Sequence, residues 1–200
     1  INTTITIYED SPLIEIHSEF DNACINHRIR AKFNYNCLND FVLADTIFDL
    51  TKRNIKKEKE WINPSKADRM NAFVQYADKL GGILVAGKGL LEYEVEGDNV
   101  YLTLLRAVSR MGDWFYFPTP NAECLGHQVC EYAFIAMQNE DDDIAKQCAY
   151  SYNRPSIFSK SISSNIDYKD DDVFSINADD LVVASTIKIA EDDDNIMNLA

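Results

Sequence analysis

Residues 91–105 read LEYEVEGDNVYLTLL and contain the strongest β-hairpin signal in the chain. The apolar residues before the turn alternate with Glu92, Glu94 and Glu96, which is the two-residue period of a half-buried strand. Turn residues at 97–99 then lead into an apolar run. Because the three glutamates share one strand face, their mutual repulsion favours exposure to solvent over a catalytic role.

The same period of two occurs in two earlier segments. Apolar residues alternate with polar ones from Ile14 to Phe20, and again from Ile25 to Tyr35. The residues Asp21-Asn22 supply turn chemistry between them, so the sequence predicts an antiparallel pair. His27 lies on the apolar side of its strand, which favours a hydrogen-bonded core histidine over a metal ligand.

Further apolar or β-branched runs extend the β pattern, and one segment departs from it. Additional strands are predicted at Phe41 to Asp49, Gly82 to Ala86, Val129 to Met137 and Leu181 to Ala190. Asn139 is the expected cap of a helix ended by Pro155, with apolar residues at 144, 145, 148, 149 and 152 on one side. The charged stretch from Lys52 to Asp68, which includes Trp61, is expected on the surface. The prediction is a mainly β protein: an antiparallel β-sandwich with one short helix, forming one domain over residues 1–200.

The composition excludes several classes of function. A formal net charge of −14 over 200 residues disfavours binding to nucleic acid or to an anionic membrane surface, and no segment is apolar enough to span a bilayer. Five cysteines without a Cys-x-x-Cys pair indicate free thiols in a reducing compartment, so a cytoplasmic location is expected. Neither a glycine-rich phosphate loop nor a metal-ligand spacing of the three histidines is present.

Four consecutive aromatic residues, Trp114 to Phe117, follow one predicted strand and precede a proline turn. Two interpretations stand. The rings could stack on the flat faces of sugars, or they could fill the core or an interface with another domain, and the second is favoured.

Six ordered segments resemble the C-terminal part of family 38 glycoside hydrolases, a group of α-mannosidases that includes bacterial mannosylglycerate hydrolases. They are NHRIRAKF (residues 26–33), ADTIFDL (44–50), GKGLLEYEV (87–95), LTLLRAV (102–108), CLGHQVCEYA (124–133) and LVVASTIKIAED (181–192). The resemblance implies a sandwich related to that of galactose mutarotases, and a chain that is a fragment of a larger glycosidase whose catalytic domain is absent.

The resemblance also implies what such a fragment does. Family members are retaining α-mannosidases with an aspartate nucleophile, a carboxyl acid/base and a zinc ion, all upstream of the matched region. We therefore expect no catalytic, cofactor or metal residue in this chain, with zinc in the missing catalytic domain. The expected partners are the enzyme's own catalytic and helical domains, an α-mannoside and, through an uncovered face, a second copy. Candidates for the rim of the substrate cleft are Arg106, Trp114, Tyr116 and His127.

Two alternatives belong to other functional classes. The first is a mannoside-binding module with the aromatic run as its platform. The second is a mutarotase-type epimerase, for which His127 with Glu123 or Glu131 is the one plausible catalytic set. For Arg106 the alternative to a rim position is an ion pair with one of the many carboxylates.

Overall fold

A computed structural model describes residues 1–58, 60 and 62–155, together with two short strands near the C-terminus. The chain divides into two compact units, Ile1–Ile157 and Phe158–Ala200. The strands are β1 Asn2–Ile7, β2 Ile14–Asn22, β3 Arg28–Asn34, β4 Phe41–Asp45, β5 Leu50–Asn54, β6 Ala67–Arg69, β7 Phe73–Asp78, β8 Gly81–Gly87, β9 Glu92–Glu96, β10 Asn99–Arg106, β11 Arg110–Met111, β12 Phe117–Pro118, β13 Gly126–Met137, β14 Ile187–Ile189 and β15 Met197–Leu199. The helix α1 is Asp143–Asn153. Trp61 and most of the predicted strand Leu181 to Ala190 lie outside the described residues, and the single domain over 1–200 stays a prediction.

The larger sheet of the first unit has seven antiparallel strands in the order β1-β2-β13-β8-β7-β4-β5. Its central strands β7 and β8 are buried at every position, so both of their faces are covered. This explains why their sequences, FVQYAD and GGILVAG, lack the alternation seen elsewhere.

The smaller sheet has four strands in the order β3-β10-β9-β6 and packs face to face with the larger one. The core between them takes Tyr93, Val100 and Leu102 from the small sheet, and Val74, Val85 and Tyr132 are among the residues from the large sheet. The hairpin predicted from residues 91–105 is confirmed, with Val95 opposite Val100 and Gly97 in the left-handed region at φ 57°. The predicted antiparallel β-sandwich is likewise confirmed.

The opposite face of the larger sheet is covered in part by α1. Ala145, Ala149 and Tyr152 are buried there against residues of β7, β8 and β13. The predicted cap was wrong by three residues, because the carboxylate of Asp142 accepts the Ala145 N–H at 3.0 Å. Ile144 was also expected on the buried side, but it is 69% exposed.

The predicted pairing of the strands at 14–20 and 25–35 is wrong. Strand β2 pairs with β1 and β13, whereas β3 pairs with β10 in the other sheet. The Asn22 amide donates to the carbonyl oxygens of Glu123 and Cys124 at 2.9 and 3.1 Å, and Asn26 adopts φ 53°. The residues between β2 and β3 therefore carry the chain across the sandwich rather than through a tight turn.

One further expectation is corrected, and another is confirmed. His27 is only half-buried, and its buried Nδ1 has no hydrogen-bond partner among the described residues. The charged stretch from Lys52 to Asp68 lies at the surface as expected, since none of its described residues is buried, and it also contains most of β5 and the start of β6. No helix in the described part of the chain has the length and apolar character needed to cross a membrane.

Candidate functional site

The four consecutive aromatics lie on a small hairpin that projects from the end of β10. Strands β11 and β12 pair through Met111 and Phe117, and a 3-10 turn joins them. The exposed fractions are 96% for Trp114, 71% for Phe115, 74% for Tyr116 and 60% for Phe117. Of the favoured interpretation, the part that places these rings in the core is wrong, while an interface with another domain stays a prediction. We call residues 110–118 the aromatic hairpin.

The backbone of the aromatic hairpin is strained. Trp114 and Phe115 have φ values of 60° and 54°, in the left-handed region that non-glycine residues avoid. Gly112, at φ 84°, lies so close to Phe117 that an added Cβ would come within 2.6 Å of its ring. A bulky residue held in this conformation costs roughly 1–2 kcal/mol, and such strain clusters at functional sites.

The base of the aromatic hairpin is fixed to the sandwich by hydrogen bonds. The Thr119 N–H donates to the Ser109 carbonyl at 2.7 Å, and the Thr119 hydroxyl donates to the Val108 carbonyl at 2.8 Å. The Ser109 N–H donates at 2.9 Å to Oδ1 of Asn26, two residues before β3. The exposed rings are therefore presented from a rigid base.

Arg106, at the end of β10, belongs to a polar network on the outer face of the smaller sheet. Its Nη1 donates to Glu92 Oε2 at 2.9 Å, while the side chain stays 60% exposed. The Thr103 hydroxyl donates to the other Glu92 oxygen at 2.8 Å, and Arg28 Nη2 lies 2.9 Å from that same oxygen. Glu92 therefore fixes the exposed guanidinium of Arg106, and the ion pair considered for Arg106 is present.

Glu94 shows that the three glutamates of β9 have different surroundings. It is only 8% exposed, and its Oε2 accepts from Arg28 at 3.0 Å and from Arg30 at 3.1 Å. Both arginines lie on β3 and reach Glu94 across the intervening strand β10, so their charges offset the repulsion that was expected to keep the glutamates in solvent. The exposure prediction holds for Glu96, which pairs with Lys66 at the surface, and is wrong for Glu94.

The histidine and carboxylates of the epimerase alternative are not brought together. His127 is exposed, and its Nδ1 lies 3.3 Å from Asp21 Oδ1 on the opposite strand. Glu131 lies on the same strand face as His127 but four residues further along the strand, a separation of about 13 Å at the usual rise per residue. Glu123 is 5% exposed, and its Oε2 accepts the N–H of Asn26 at 2.9 Å.

The charged side chains of the described residues do not form a metal centre. Three or more histidine, cysteine or acidic side chains do not converge anywhere in that part of the chain. The described residues therefore offer no zinc site, and the zinc ion that the resemblance assigns to the missing catalytic domain stays a prediction. Burial raises the pKa of the Cys37 and Cys130 thiols, so neither resembles an activated nucleophile or thiolate ligand.

Sequence reasoning missed several buried polar contacts between distant parts of the chain. Asp45 accepts the Tyr150 hydroxyl at 2.6 Å, and Glu123 joins the segment before β3 to the segment before β13. Gln75, 2% exposed, donates from Nε2 to the Glu140 carbonyl at 2.6 Å. Each contact joins residues far apart in sequence, so no local pattern indicated it.

The sequence is similar to one protein family and to curated proteins of that kind. The family described as glycosyl hydrolases family 38 C-terminal domain matches residues 1–121. A protein of Halalkalibacterium halodurans named as a mannosylglycerate hydrolase is 30% identical over 135 residues, covering 68% of this chain. An α-mannosidase of Saccharomyces cerevisiae is 24% identical over 168 residues, covering 84% of this chain.

Two solved structures are similar to 76% of the chain. One is an α-mannosidase from Enterococcus faecalis, with a TM-score of 0.72 and 31% identity. The other is a glycosyl hydrolase family 38 protein from the same species, with a TM-score of 0.69 and 30% identity. The matched regions are 15% of the length of each curated relative and 18% of each of these structures.

Proposed function

The chain belongs to the C-terminal domain of glycosyl hydrolases family 38, and from this membership we propose that it is a non-catalytic part of a longer retaining α-mannosidase. The relatives' names support hydrolysis of α-mannosides as the activity of the whole protein. The buried carboxylates support a structural role for this part. Asp45, Glu94 and Glu123 each accept hydrogen bonds from their own chain, which occupies oxygens that a glycosidase would direct at substrate.

The observation that carries the proposal is the exposure of the aromatic hairpin. Four adjacent rings, each at least 60% exposed, form an apolar surface that a free-standing domain would hide. The relatives are several times longer than this chain, so the remainder of the same polypeptide is the partner expected to bury these four rings. The aromatic hairpin would pack against the catalytic part, and its strained backbone would be retained for the contact that it makes there.

The four predicted rim residues fit this arrangement to different degrees. Arg106 offers a guanidinium that Glu92 holds in place at the base of the aromatic hairpin, while Trp114 and Tyr116 offer exposed rings. His127 lies on the face of the larger sheet opposite the core, with Asp21 as its partner. We propose Arg106, Trp114 and Tyr116 as contacts to the catalytic part or to the α-mannoside, with His127 as a weaker candidate.

A mannoside-binding module is the second candidate function. The exposure of Trp114 favours it, because flat aromatic surfaces stack on sugar rings. Binding of a mannoside by this chain alone, lost on removing the Trp114 ring, would favour that reading over packing.

The test compares the 200-residue chain with the full-length parent on an aryl α-mannoside in the presence of zinc. We expect turnover only by the parent. In the parent, changing Trp114 and Tyr116 together to serine should lower kcat/KM and the temperature at which activity is lost. Phe48, 97% exposed on a different turn, supplies the matched control: Phe48→Ser should leave both quantities near the wild-type values. Turnover by the 200-residue chain would overturn the proposal, and so would equal effects of both sets of changes.

Location and self-association are also proposals. All five cysteines are free, as expected in a reducing compartment such as the cytoplasm. The uncovered aromatic hairpin would let the isolated chain self-associate, and sedimentation at rising concentration would measure this. A chain that stays monomeric at high concentration would argue against a large uncovered contact surface.

A further inference from the structure

Strand β1 forms an open edge of the larger sheet. In the described part of the chain it pairs with β2 alone, from Asn2 opposite Glu19 to Ile7 opposite Ile14, with no shift in register. Alternate residues of an antiparallel strand direct their N–H and C=O groups to opposite sides, so about three of the six residues of β1 present these groups away from β2. Such groups are a template to which another strand can add.

The other three edges of the two main sheets carry charged residues, which usually prevent strand addition. They are Arg28, Arg30 and Lys32 on β3, Lys52 and Arg53 on β5, and Arg69 on the three-residue strand β6. Strand β1 reads NTTITI and contains neither a charged residue nor a proline. Because an exposed and uncharged edge promotes aggregation, this difference indicates that the edge of β1 is covered in the functional protein.

The side chains of β1 also leave apolar surface uncovered. Ile5 stands opposite Ile16, which is 9% exposed and belongs to the core between the sheets, so these two side chains share a face. Ile5 and Ile7 are nevertheless 60% and 71% exposed. Among the described residues, that core includes no residue of β1, so the smaller sheet does not extend over this strand. A partner would therefore gain burial of apolar surface here as well as backbone hydrogen bonds.

Length and charge favour the rest of a longer polypeptide over a second copy as this partner. The matched regions are at most 18% of the length of the similar proteins, so most of such a protein lies outside this chain. A second copy would bring together two chains of formal charge −14, with Glu15 and Glu19 on the strand next to the shared edge.

On the basis of the proposed function, we propose that a strand from the remainder of the same α-mannosidase pairs with β1. This strand adds its backbone to the free edge of the larger sheet and turns apolar side chains at alternate positions towards Ile5 and Ile7. The contact is separate from the aromatic hairpin, which projects from the end of β10 in the smaller sheet.

Hydrogen–deuterium exchange measured by mass spectrometry tests the proposal by comparing the 200-residue chain with the full-length parent. In the isolated chain the peptide that contains β1 should keep about three slowly exchanging amides, and in the parent about six. Equal protection of β1 in the two proteins would overturn the proposal. Protection that rises with the concentration of the isolated chain would also overturn it, because the partner would then be a second copy.

A charge on the apolar side of β1 should prevent the pairing. Ile5→Lys should remove the additional protection in the parent and lower its melting temperature. The melting temperature of the isolated chain should stay near the wild-type value, because Ile5 is already exposed there. Ile62→Lys is the matched control, since Ile62 is 91% exposed between β5 and β6, and it should change neither quantity. Full additional protection in the Ile5→Lys parent would count against the proposal.

The exchange measurement also separates this pairing from the packing role of the aromatic hairpin. A loss of kcat/KM in the parent with Trp114 and Tyr116 changed to serine, without extra protection at β1, would reject the strand pairing alone. Extra protection at β1 together with no effect of those two changes would support the pairing and reject the packing role.

Discussion

The Tyr150 hydroxyl donates a 2.6 Å hydrogen bond to Oδ1 of Asp45, which joins α1 to the end of β4. Asp45 is 3% exposed, and its second oxygen accepts the N–H of Ala72 at 2.9 Å. One buried carboxylate therefore holds the helix, the strand and the segment before β7 together. The ring of Tyr150 also packs edge-on against Phe73, with centroids 5.1 Å apart.

Tyr150→Phe should isolate the contribution of this hydrogen bond, because the ring contact with Phe73 is kept. Loss of a bond to a charged acceptor is expected to lower the free energy of unfolding by about 1.5–3 kcal/mol. Urea denaturation measures the change. Tyr8→Phe is the matched control, since the Tyr8 hydroxyl makes only a long, exposed contact with Glu15 at 3.5 Å. Equal losses in the two variants would contradict a special role for the Asp45 contact.

Alkaline pH should destabilise the chain through its buried tyrosines. Burial is the largest cause that raises the pKa of Tyr93, Tyr150 and Tyr152, and the Asp45 carboxylate adds to it at Tyr150. A raised folded pKa means that the unfolded chain releases these protons first. The stabilisation is complete below the unfolded value of about 10 and is lost as pH rises above it. Urea midpoints from about pH 8 to 11 should fall above pH 10, and less steeply in Tyr150→Phe. A flat profile would contradict this.

The sequence predicted those parts of the fold whose signals are local. The β9–β10 hairpin carries its own turn and alternation, and the structure confirms it. The pairing of β2 was predicted wrongly because Asn22 has the chemistry of a turn residue but uses its amide on carbonyls 101 and 102 residues away. Glu94 was placed in solvent for a similar reason, since its partner Arg28 lies 66 residues earlier.

For the candidate site too, the sequence predicted only what a local pattern carries. The run of aromatics is visible in the sequence, whereas its exposure depends on where the chain leaves β10 and on the left-handed backbone at Trp114 and Phe115. Gln75 gave no signal, because a glutamine inside a buried strand looks like a tolerated polar residue. Its role appears only in the structure, where its Nε2 donates to the Glu140 carbonyl in the loop before α1.

Glu94→Gln should destabilise the smaller sheet. The change weakens hydrogen bonds from Arg28 and Arg30 and leaves both guanidinium groups without their shared charge partner. We expect a loss of about 1.5–3 kcal/mol in the free energy of unfolding, measured by urea denaturation. Glu96→Gln on the same strand face is the control. Its partner Lys66 is exposed, so little change is expected there. A small effect for Glu94→Gln would mean that Glu92 alone satisfies the arginines.

Trp114→Gly should show whether the Trp114 ring stabilises the isolated chain or serves only a contact with the rest of the enzyme. Trp114 has φ 60°, and glycine at this position relieves backbone strain of roughly 1–2 kcal/mol. Glycine also makes the unfolded chain more flexible, which costs about 0.5–1 kcal/mol of stability. The free energy of unfolding of the 200-residue chain should therefore stay the same or rise slightly. Phe48→Gly is the matched control, because Phe48 is 97% exposed and is absent from the residues with positive φ. That change should lower the stability by about 0.5–1 kcal/mol.

The same two variants should also differ in their activity when they are made in the full-length parent. Trp114→Gly should lower kcat/KM on an aryl α-mannoside although it does not destabilise the isolated chain, because the ring would be missing from its contact. Phe48→Gly should leave kcat/KM unchanged despite its small cost in stability. If Trp114→Gly destabilised the isolated chain as much as Phe48→Gly does, the ring would be packing within the chain itself. The strain at Trp114 would then have no connection with the rest of the enzyme.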